Sequence, residues 1–321
     1  MIIKKDNIKI SLVSIGTGNF QYLFPLYKLL NKNIKFEIFA DNISAKLWKK
    51  NNIKTYKLNK ETINKTISNK IIIIGMVCFK DILFRIIKKA KKNYIIQFFD
   101  NFTLIPQRFN YNNKFLFGDE IWSLNKRSND LLANLIKKST KIINIGHPGF
   151  VKNLNKEKKI SSKKVLIVLQ PMKKYRYTFT EHNLLQIIHD YKIRYKSNLK
   201  FFAKPHPENK LTFKLKNINI LKKNIYKNLK NFQYVIGFSS TILTISYLKG
   251  IKTGRIVLNN GSADEYKPYN FRVNKISSLE DMDFFFKNKI KKKIYNKDLF
   301  YKNADKKASD RIVKIIKLLH F

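Results

Sequence analysis

The sequence is poor in several residue types, and each shortage excludes a class of protein. Its one cysteine, Cys78, excludes a disulfide framework and a multi-cysteine metal site. Acidic residues number 21 against 66 basic ones, for a net charge of +45, yet only eight of the basic residues are arginine. The lysines are spread along the whole chain, whereas a dedicated nucleic-acid binder usually has a basic patch or base-reading arginines. We therefore expect attraction to anions such as nucleotides, acidic glycans and lipid surfaces, and no specific nucleic-acid partner.

Long apolar runs are also missing. No segment reaches 18 uninterrupted apolar residues, so we expect no transmembrane helix. The short apolar run 8–15 leads into Gly16-Thr17-Gly18 and is interpreted as a first β-strand, not a signal peptide. We expect a cytoplasmic protein that can contact the inner membrane peripherally.

What is present is an alternation of strand and helix patterns. In the first half, apolar β-branched runs at 8–15, 34–40, 71–75 and 94–99 alternate with helical segments such as 20–30. Such alternation predicts a parallel sheet covered on both faces. With 321 residues and 44% hydrophobic residues, the chain can form two domains with sizeable cores.

A second series of strands and helices begins after a turn-rich and polar stretch, 146–164, which we interpret as a linker. Strands are predicted at 164–170, 199–203 and 234–237, and helices at 180–196 and 304–319. The prediction is therefore an N-terminal α/β domain at 1–150 and a C-terminal one at 151–321 that includes the last helix.

The strongest candidate site is Lys204-Pro205-His206-Pro207, directly after an apolar strand. In open α/β sheets, ligands bind at the carboxyl ends of the strands. The prolines stiffen the backbone around the imidazole. With a lysine two residues before it, His206 suits a phosphate or a departing nucleotide. The alternative is a histidine that only completes a turn.

A second candidate is Ser239-Ser240-Thr241, between a predicted strand and an apolar helix. The first N–H groups of a helix lack partners and its dipole favours negative charge, so this junction can bind an anion. The alternative is an ordinary helix cap.

Together these two motifs resemble those of bacterial GT-B glycosyltransferases with HP and S-S/T motifs, including sialyltransferases, polysialyltransferases and capsule enzymes. The resemblance implies two Rossmann-like domains facing a cleft, with the C-terminal domain holding the donor nucleotide. It implies that His206 assists the leaving phosphate and that Ser239, Ser240 and Thr241 bind it. From their places beside His206, we expect Lys204 and Pro205 to belong to the same phosphate-binding site. The resemblance predicts no cofactor.

These families also have an acidic motif in the N-terminal domain, whose carboxylate is the general base for the acceptor hydroxyl. The matching position is Asp100 in Gln97-Phe98-Phe99-Asp100-Asn101; Asn101 departs from the second acid, and the following glycine is missing. Asp100 is thus the candidate base, and a turn-forming Asp-Asn pair is the alternative.

Gly16-Thr17-Gly18-Asn19 follows the first strand, but Gln21 stands where a dinucleotide-binding fingerprint needs glycine. An NAD site is therefore not expected. In GT-B enzymes a small-residue loop here lines the interdomain cleft, which implies that Gly16, Gly18 and Asn19 border the sugar. A tight strand-to-helix turn is the alternative.

Two further patterns have structural interpretations. Asp281-Met282-Asp283 superficially matches a metal-binding D-x-D motif, but it is typical of acids in the first turn of a helix, so we predict no metal site. His147, in a Gly-His-Pro-Gly turn, is expected to be structural. The last helix, with lysines among its isoleucines, is expected to pack on its own domain, with a membrane surface as the alternative.

The sequence thus predicts a metal-independent GT-B glycosyltransferase. The first choice of donor is a CMP-linked acidic sugar such as sialic acid, and the acceptor is a surface-glycan or lipid-linked saccharide. The alternatives are a glycerophosphotransferase, a UDP-sugar transferase or epimerase, and a non-catalytic glycan- or nucleotide-binding relative. An epimerase would need additional acids that the sequence does not place.

Overall fold

The chain divides into two compact units in a computed structural model, one formed by residues 1–152 and 296–321 and the other by 153–295. The residues described are 9–78, 80–101, 105–136, 139–153, 162–170, 180–206, 217–221, 225, 228–238, 240–257, 274–288 and 303–319. None of the helices in these ranges combines the length and apolar character needed to cross a membrane.

The first unit is built on a seven-stranded parallel sheet with the order β3-β2-β1-β4-β5-β8-β9. Its strands are β1 (Lys9–Ser14), β2 (Lys35–Ala40), β3 (Tyr56–Lys57), β4 (Ile71–Gly75), β5 (Tyr94–Phe98), β8 (Glu120–Ser123) and β9 (Lys141–Asn144). A two-stranded antiparallel ribbon, β6 (Asn110–Tyr111) with β7 (Lys114–Phe115), accompanies it. Every residue of β4 is buried, as the uninterrupted apolar run 71–75 predicts for a strand covered on both faces.

Helices connect these strands. They are α1 (Gly16–Leu30), α2 (Asn42–Lys49), α3 (Ile63–Thr66), α4 (Asp81–Lys89), α5 (Ile105–Phe109) and α6 (Lys126–Ala133), followed by a 3₁₀ turn at Pro148–Asn153. Trp48 of α2 is fully buried, with its indole N–H donating to Ser14 Oγ at 3.3 Å.

Helix α1 begins four residues earlier than the predicted helix at 20–30, so Gly16 and Gly18 lie in its first turn. Pro25 lies inside α1 and has no N–H to donate to the Gln21 carbonyl one turn earlier. Gly149 packs against that carbonyl: a Cβ at position 149 would lie 2.3 Å from the Gln21 oxygen. The glycine after His147-Pro148 is therefore required by contact with α1.

The second unit has a six-stranded parallel sheet with the order β12-β11-β10-β13-β14-β15. Its strands are β10 (Lys164–Val168), β11 (Lys200–Lys204), β12 (Ile218–Ile220), β13 (Tyr234–Gly237), β14 (Lys252–Ile256) and β15 (Asn274–Ile276), and its helices are α7 (Glu181–Arg194), α8 (Thr241–Leu248) and α9 (Leu279–Lys287). The prediction of two α/β units with parallel sheets is confirmed.

Helix boundaries in the second unit follow local sequence signals. Thr180 caps α7, accepting from the Asn183 N–H at 3.2 Å while the Asn183 side chain accepts from the Thr180 N–H at 3.0 Å. Gly250 follows the end of α8 with φ +76°, the left-handed conformation that glycine adopts freely.

The last helix, α10 (Ala304–Leu319), belongs to the first unit, where it packs against α1. From the sequence this helix was expected in the second domain, whereas in the structure a buried ion pair and apolar contacts join it to the first unit. Arg311 of α10 pairs with Glu120, whose side chain has no exposed surface. Tyr94 Oη at 2.8 Å and Trp122 Nε1 at 3.1 Å also donate to this carboxylate. The apolar stripe of the helix faces protein, with Ile312, Ile315 and Ile316 buried.

Candidate functional site

The predicted phosphate-binding residues of the second unit lie at the edge where its strands end. Strand β10 lies between β11, which ends at Lys204, and β13, which ends at Gly237 and leads to Ser240. Val168 of β10 is in register with both Lys204 and Gly237. Adjacent strands are about 4.8 Å apart, so the ends of β11 and β13 are separated by about 10 Å. The two motifs therefore flank one strand end on one sheet.

Lys204 is a cation at this edge. It is half-buried, and burial lowers the pKa of its ammonium group because desolvation disfavours the charge. In the described part of the chain no carboxylate forms a salt bridge with it. Pro205 and His206 follow directly and are partly buried, whereas Pro207 lies outside the described residues. A bound anion would compensate the desolvated charge of Lys204.

Ser240 caps helix α8, since its Oγ accepts from the Ile242 N–H at 3.2 Å. Thr241 is the first residue of the helix, and Ser239 lies outside the described residues. Ser240 therefore has the ordinary helix-capping role that was the alternative for the Ser239-Ser240-Thr241 motif. It does not exclude an anion, because a capped helix still directs its dipole and remaining first-turn N–H groups toward the same edge.

In the first unit, Asp100 follows β5 and is paired with Arg108. Its Oδ1 lies 2.8 Å from Arg108 Nη1, and the side chains are only 13% and 9% exposed. The same guanidinium nitrogen donates to the Met76 carbonyl at 2.8 Å, which links the ends of β4 and β5. Arg108 could not be predicted, because nothing in the local sequence pattern shows that the chain returns to Asp100 within one short helix.

Gly18 provides the space for this carboxylate. A Cβ at position 18 would lie 1.5 Å from Asp100 Oδ2, so any other residue would displace it. The carboxylate therefore lies against the first turn of α1, where the helix dipole favours negative charge. The structure brings together Gly18 and Asp100, two residues that the sequence analysis proposed for separate reasons.

Gly16 and Asn19, the other two residues predicted to line the cleft, stabilise the junction between β1 and α1. Gly16 has φ +68°, and its N–H donates to Asp41 Oδ1 at 3.0 Å. Asn19 has no exposed surface, and its Oδ1 accepts from the Ile15 N–H at 3.1 Å. Asn19 also packs against Gly75, where a Cβ would lie 2.0 Å from its oxygen. Asn19 thus has no surface exposed in this structure, and its contact with a sugar stays a prediction.

Residues 281–283 and His147, which were predicted to be structural, have structural contacts. Ser278 caps α9 by accepting from the Asp281 N–H at 3.0 Å, and Asp281 accepts from the Ser277 N–H at 2.8 Å. Asp283 pairs with Lys287 at 2.8 Å. His147 stacks on Phe150 with ring centroids 3.7 Å apart, and burial lowers its pKa to about 3. The acids of 281–283 thus begin a helix.

Comparison with known proteins identifies the fold. No family profile and no curated protein matches the sequence. Among solved structures, Staphylococcus aureus MnaA in complex with UDP has a TM-score of 0.66 at 13% identity, covering 97% of this chain and 96% of the other. A UDP-N-acetylglucosamine 2-epimerase from Rickettsia bellii has a TM-score of 0.64 at 14% identity, covering 97% and 96%. The wall teichoic acid polymerase TagF has 0.57 at 11%, covering 97% and 89%.

The chain has the GT-B fold. These similarities span nearly the full length of both chains, and both parallel sheets are matched. At such low identity they establish the fold alone. The structures that share it include UDP-N-acetylglucosamine 2-epimerases, a glycosyltransferase of kitacinnamycin and a wall teichoic acid polymerase. The sialyltransferase resemblance is therefore confirmed only at the level of the GT-B fold.

Proposed function

We propose that this protein is a transferase that uses a nucleotide-sugar donor, with a UDP-linked sugar now preferred to the CMP-linked acidic sugar. The observation that carries the proposal is the edge of the second sheet. There the half-buried Lys204, which forms no salt bridge within the described ranges, lies on one side of β10, and the strand that leads to the capped start of α8 lies on the other. The preference for UDP is supported by structures with the same fold whose bound ligands are UDP and UDP-GlcNAc.

In this proposal the second unit binds the donor. Lys204 and the start of α8 would neutralise the nucleotide phosphates, with Ser239, Ser240 and Thr241 supplying hydroxyl and N–H groups. His206 would stabilise or protonate the leaving phosphate, a group that gains negative charge as the sugar bond breaks. Pro205 would limit the movement of the imidazole.

The first unit would act on the acceptor, a surface-glycan or lipid-linked saccharide. Asp100 is the proposed base, held by Arg108 and the first turn of α1 in one orientation. A hydroxyl of the acceptor would donate to the carboxylate and lose its proton as it attacks the sugar. A divalent metal has no role in this scheme.

An epimerase is the second candidate, favoured by the similarity of the fold to UDP-GlcNAc 2-epimerases. Moving a proton at a sugar carbon requires acid and base groups around that carbon. Among described residues that lie one or two positions after the strands of the first sheet, the carboxylates are Asp41 and Asp100. Asp41 already accepts from the N–H groups of Gly16 and Ser44. This shortage of acids favours transfer over epimerisation.

A nucleotide-binding and turnover experiment tests these readings. We expect UDP to raise the unfolding temperature more than CMP, CDP or GDP; a ligand at 100 times its Kd adds about 2.7 kcal/mol. UDP-GlcNAc is then incubated with the protein and followed by NMR. UDP release that depends on a saccharide acceptor supports transfer, and a new sugar epimer supports the second candidate. Binding without either product indicates a non-catalytic relative. A thermal shift with CMP alone would favour the CMP-linked sugar as the donor. No shift with any nucleotide would refute the proposal.

A further inference from the structure

Four residues form one cross-strand row at the edge of the second sheet. Val168 is in register with Lys204 on one side and with Gly237 on the other, and Gly237 is in register with Arg255 of β14. The row therefore runs Lys204, Val168, Gly237, Arg255 across four adjacent strands. A cation stands at each end of it, and the sequence analysis considered only Lys204.

Both cations lie on the same face of the sheet. The residues preceding three members of the row, Ala203, Ile236 and Gly254, point to the face covered by α7 and α9. Ala203 and Ile236 belong to the core cluster on that face, and a Cβ at Gly254 would meet Ile276 and Phe285 there. Successive residues of a strand point to opposite faces, so Lys204 and Arg255 point to the other face. That face is the one on which α8 packs against β13 and β14.

Gly237 leaves the middle of the row without a side chain. A Cβ there would lie 2.7 Å from the Val168 carbonyl oxygen, so the position has no room for one. The chain continues from Gly237 to the cap of α8 at Ser240. The strand that leads to this helix thus lies between the strands that carry Lys204 and Arg255.

We propose that Arg255 is a second phosphate-binding cation, and that Lys204 and Arg255 together select a nucleoside diphosphate over a monophosphate. This inference rests on the proposed nucleotide-sugar function. Three strand spacings of about 4.8 Å separate the backbones of the two residues, a distance that their long side chains can span together from the two ends of the row. A diphosphate presents two anionic groups and engages both cations, whereas a monophosphate engages one. The guanidinium also offers paired N–H donors that match two phosphate oxygens.

The test compares UDP with UMP by isothermal titration calorimetry. We expect the wild type to bind UDP more tightly than UMP. Arg255→Met should weaken UDP binding by about 10- to 100-fold, the usual worth of hydrogen bonds to charged groups, and change UMP binding by less than about 2-fold. Arg255→Lys keeps the charge but loses the paired donors, so its UDP affinity should be intermediate. Arg194→Met is the matched control, since Arg194 is an exposed residue of the same unit that pairs with Glu280; its UDP and UMP affinities should be those of the wild type.

The outcomes separate the two proposals. Equal losses of UDP and UMP affinity in Arg255→Met, or no loss of either, would overturn the role of Arg255 while leaving the nucleotide-sugar function standing. A wild type that binds no nucleotide refutes the proposed function itself. Circular dichroism checks that each variant folds. If Arg255→Met does not fold, Arg255→Lys decides: weaker UDP binding with unchanged UMP binding supports the inference, and unchanged UDP binding contradicts it.

Discussion

Asp100 and Arg108 form a nearly buried salt bridge, with Oδ1 and Nη1 2.8 Å apart. Gly18 closes over the other carboxylate oxygen, and the Met76 carbonyl accepts from the same guanidinium. Arg108 and Gly18 thus contact the proposed base directly, and Met76 fixes the arginine. The orientation of Asp100 depends on residues that take no part in proton transfer.

The first prediction concerns this pair. Arg108→Met should lower the free energy of unfolding by about 3–5 kcal/mol, because it leaves the Asp100 charge buried without a partner. Adding Asp100→Asn should restore part of the loss. Urea-induced unfolding measures both. The control is Arg85→Met, which breaks an exposed Asp81–Arg85 pair and should have little effect. Equal losses of stability in the two arginine variants would show that the Asp100–Arg108 pair stabilises the protein no more than an exposed pair does.

The second prediction concerns the attachment of α10. Glu120 is fully buried and accepts hydrogen bonds from Arg311, Tyr94 and Trp122. Arg311→Met should cost about 3–5 kcal/mol, because the Glu120 charge loses its cationic partner. It should also increase hydrogen exchange in α10. The double change Glu120→Met with Arg311→Met removes both charges and should cost less than Arg311→Met alone. A double variant that is less stable than the single one contradicts this account.

Much of the fold could be predicted because buried parallel strands leave a simple pattern. The run 71–75 is apolar throughout, and its strand is buried throughout. The start of α1 could not be predicted, since Gly16 and Gly18 are poor helix formers whose presence is explained by Asp41 and Asp100. The amphipathic pattern of α10 predicts a buried stripe but not which sheet it covers. Arg108 and Arg255 were missed because their neighbours are defined only by the folded chain.

The third prediction is a pH dependence caused by His147. Burial lowers its pKa to about 3, and its Nδ1 accepts from the Gly149 N–H at 3.1 Å. The unfolded chain takes up a proton near pH 6.5, whereas the folded chain does so only near pH 3. The contribution of His147 to stability is therefore complete above pH 6.5 and is lost as the pH falls toward 3, by about 1.4 kcal/mol per unit.

His147→Asn keeps an acceptor near the Gly149 N–H but cannot titrate. The stability difference between wild type and this variant, measured by urea unfolding from pH 7.5 to 4.5, should shift in favour of the variant below pH 6.5. A difference that stays constant over this range would mean that His147 is protonated in the folded protein or is not enclosed.

The fourth prediction separates the two roles of Ser240. Ser240→Ala should destabilise the protein by about 1 kcal/mol, because it removes the cap of α8. Ser240→Asp keeps the cap, since aspartate caps helices as well as serine does. Its negative charge should nevertheless repel a bound phosphate and weaken UDP binding more than alanine does. Thermal unfolding and calorimetry measure the two effects. If Ser240→Asp binds UDP as well as the wild type, the phosphate does not lie at this helix start.

The last prediction concerns His206, which follows β11 two residues after Lys204. If the imidazole acts on the leaving phosphate, it contributes more in the transition state than in the ground state. His206→Ala should then reduce kcat by about 10²–10⁴-fold, the usual range for general acid catalysis, with a smaller change in donor KM. Lys204→Met should show the opposite balance, since a cation that holds the phosphates of the bound donor acts first on affinity. Steady-state kinetics with a UDP-sugar and an acceptor separate the two patterns. A His206→Ala variant that raises KM while keeping kcat would make His206 a binding residue, and one with unchanged kinetics would remove it from the site.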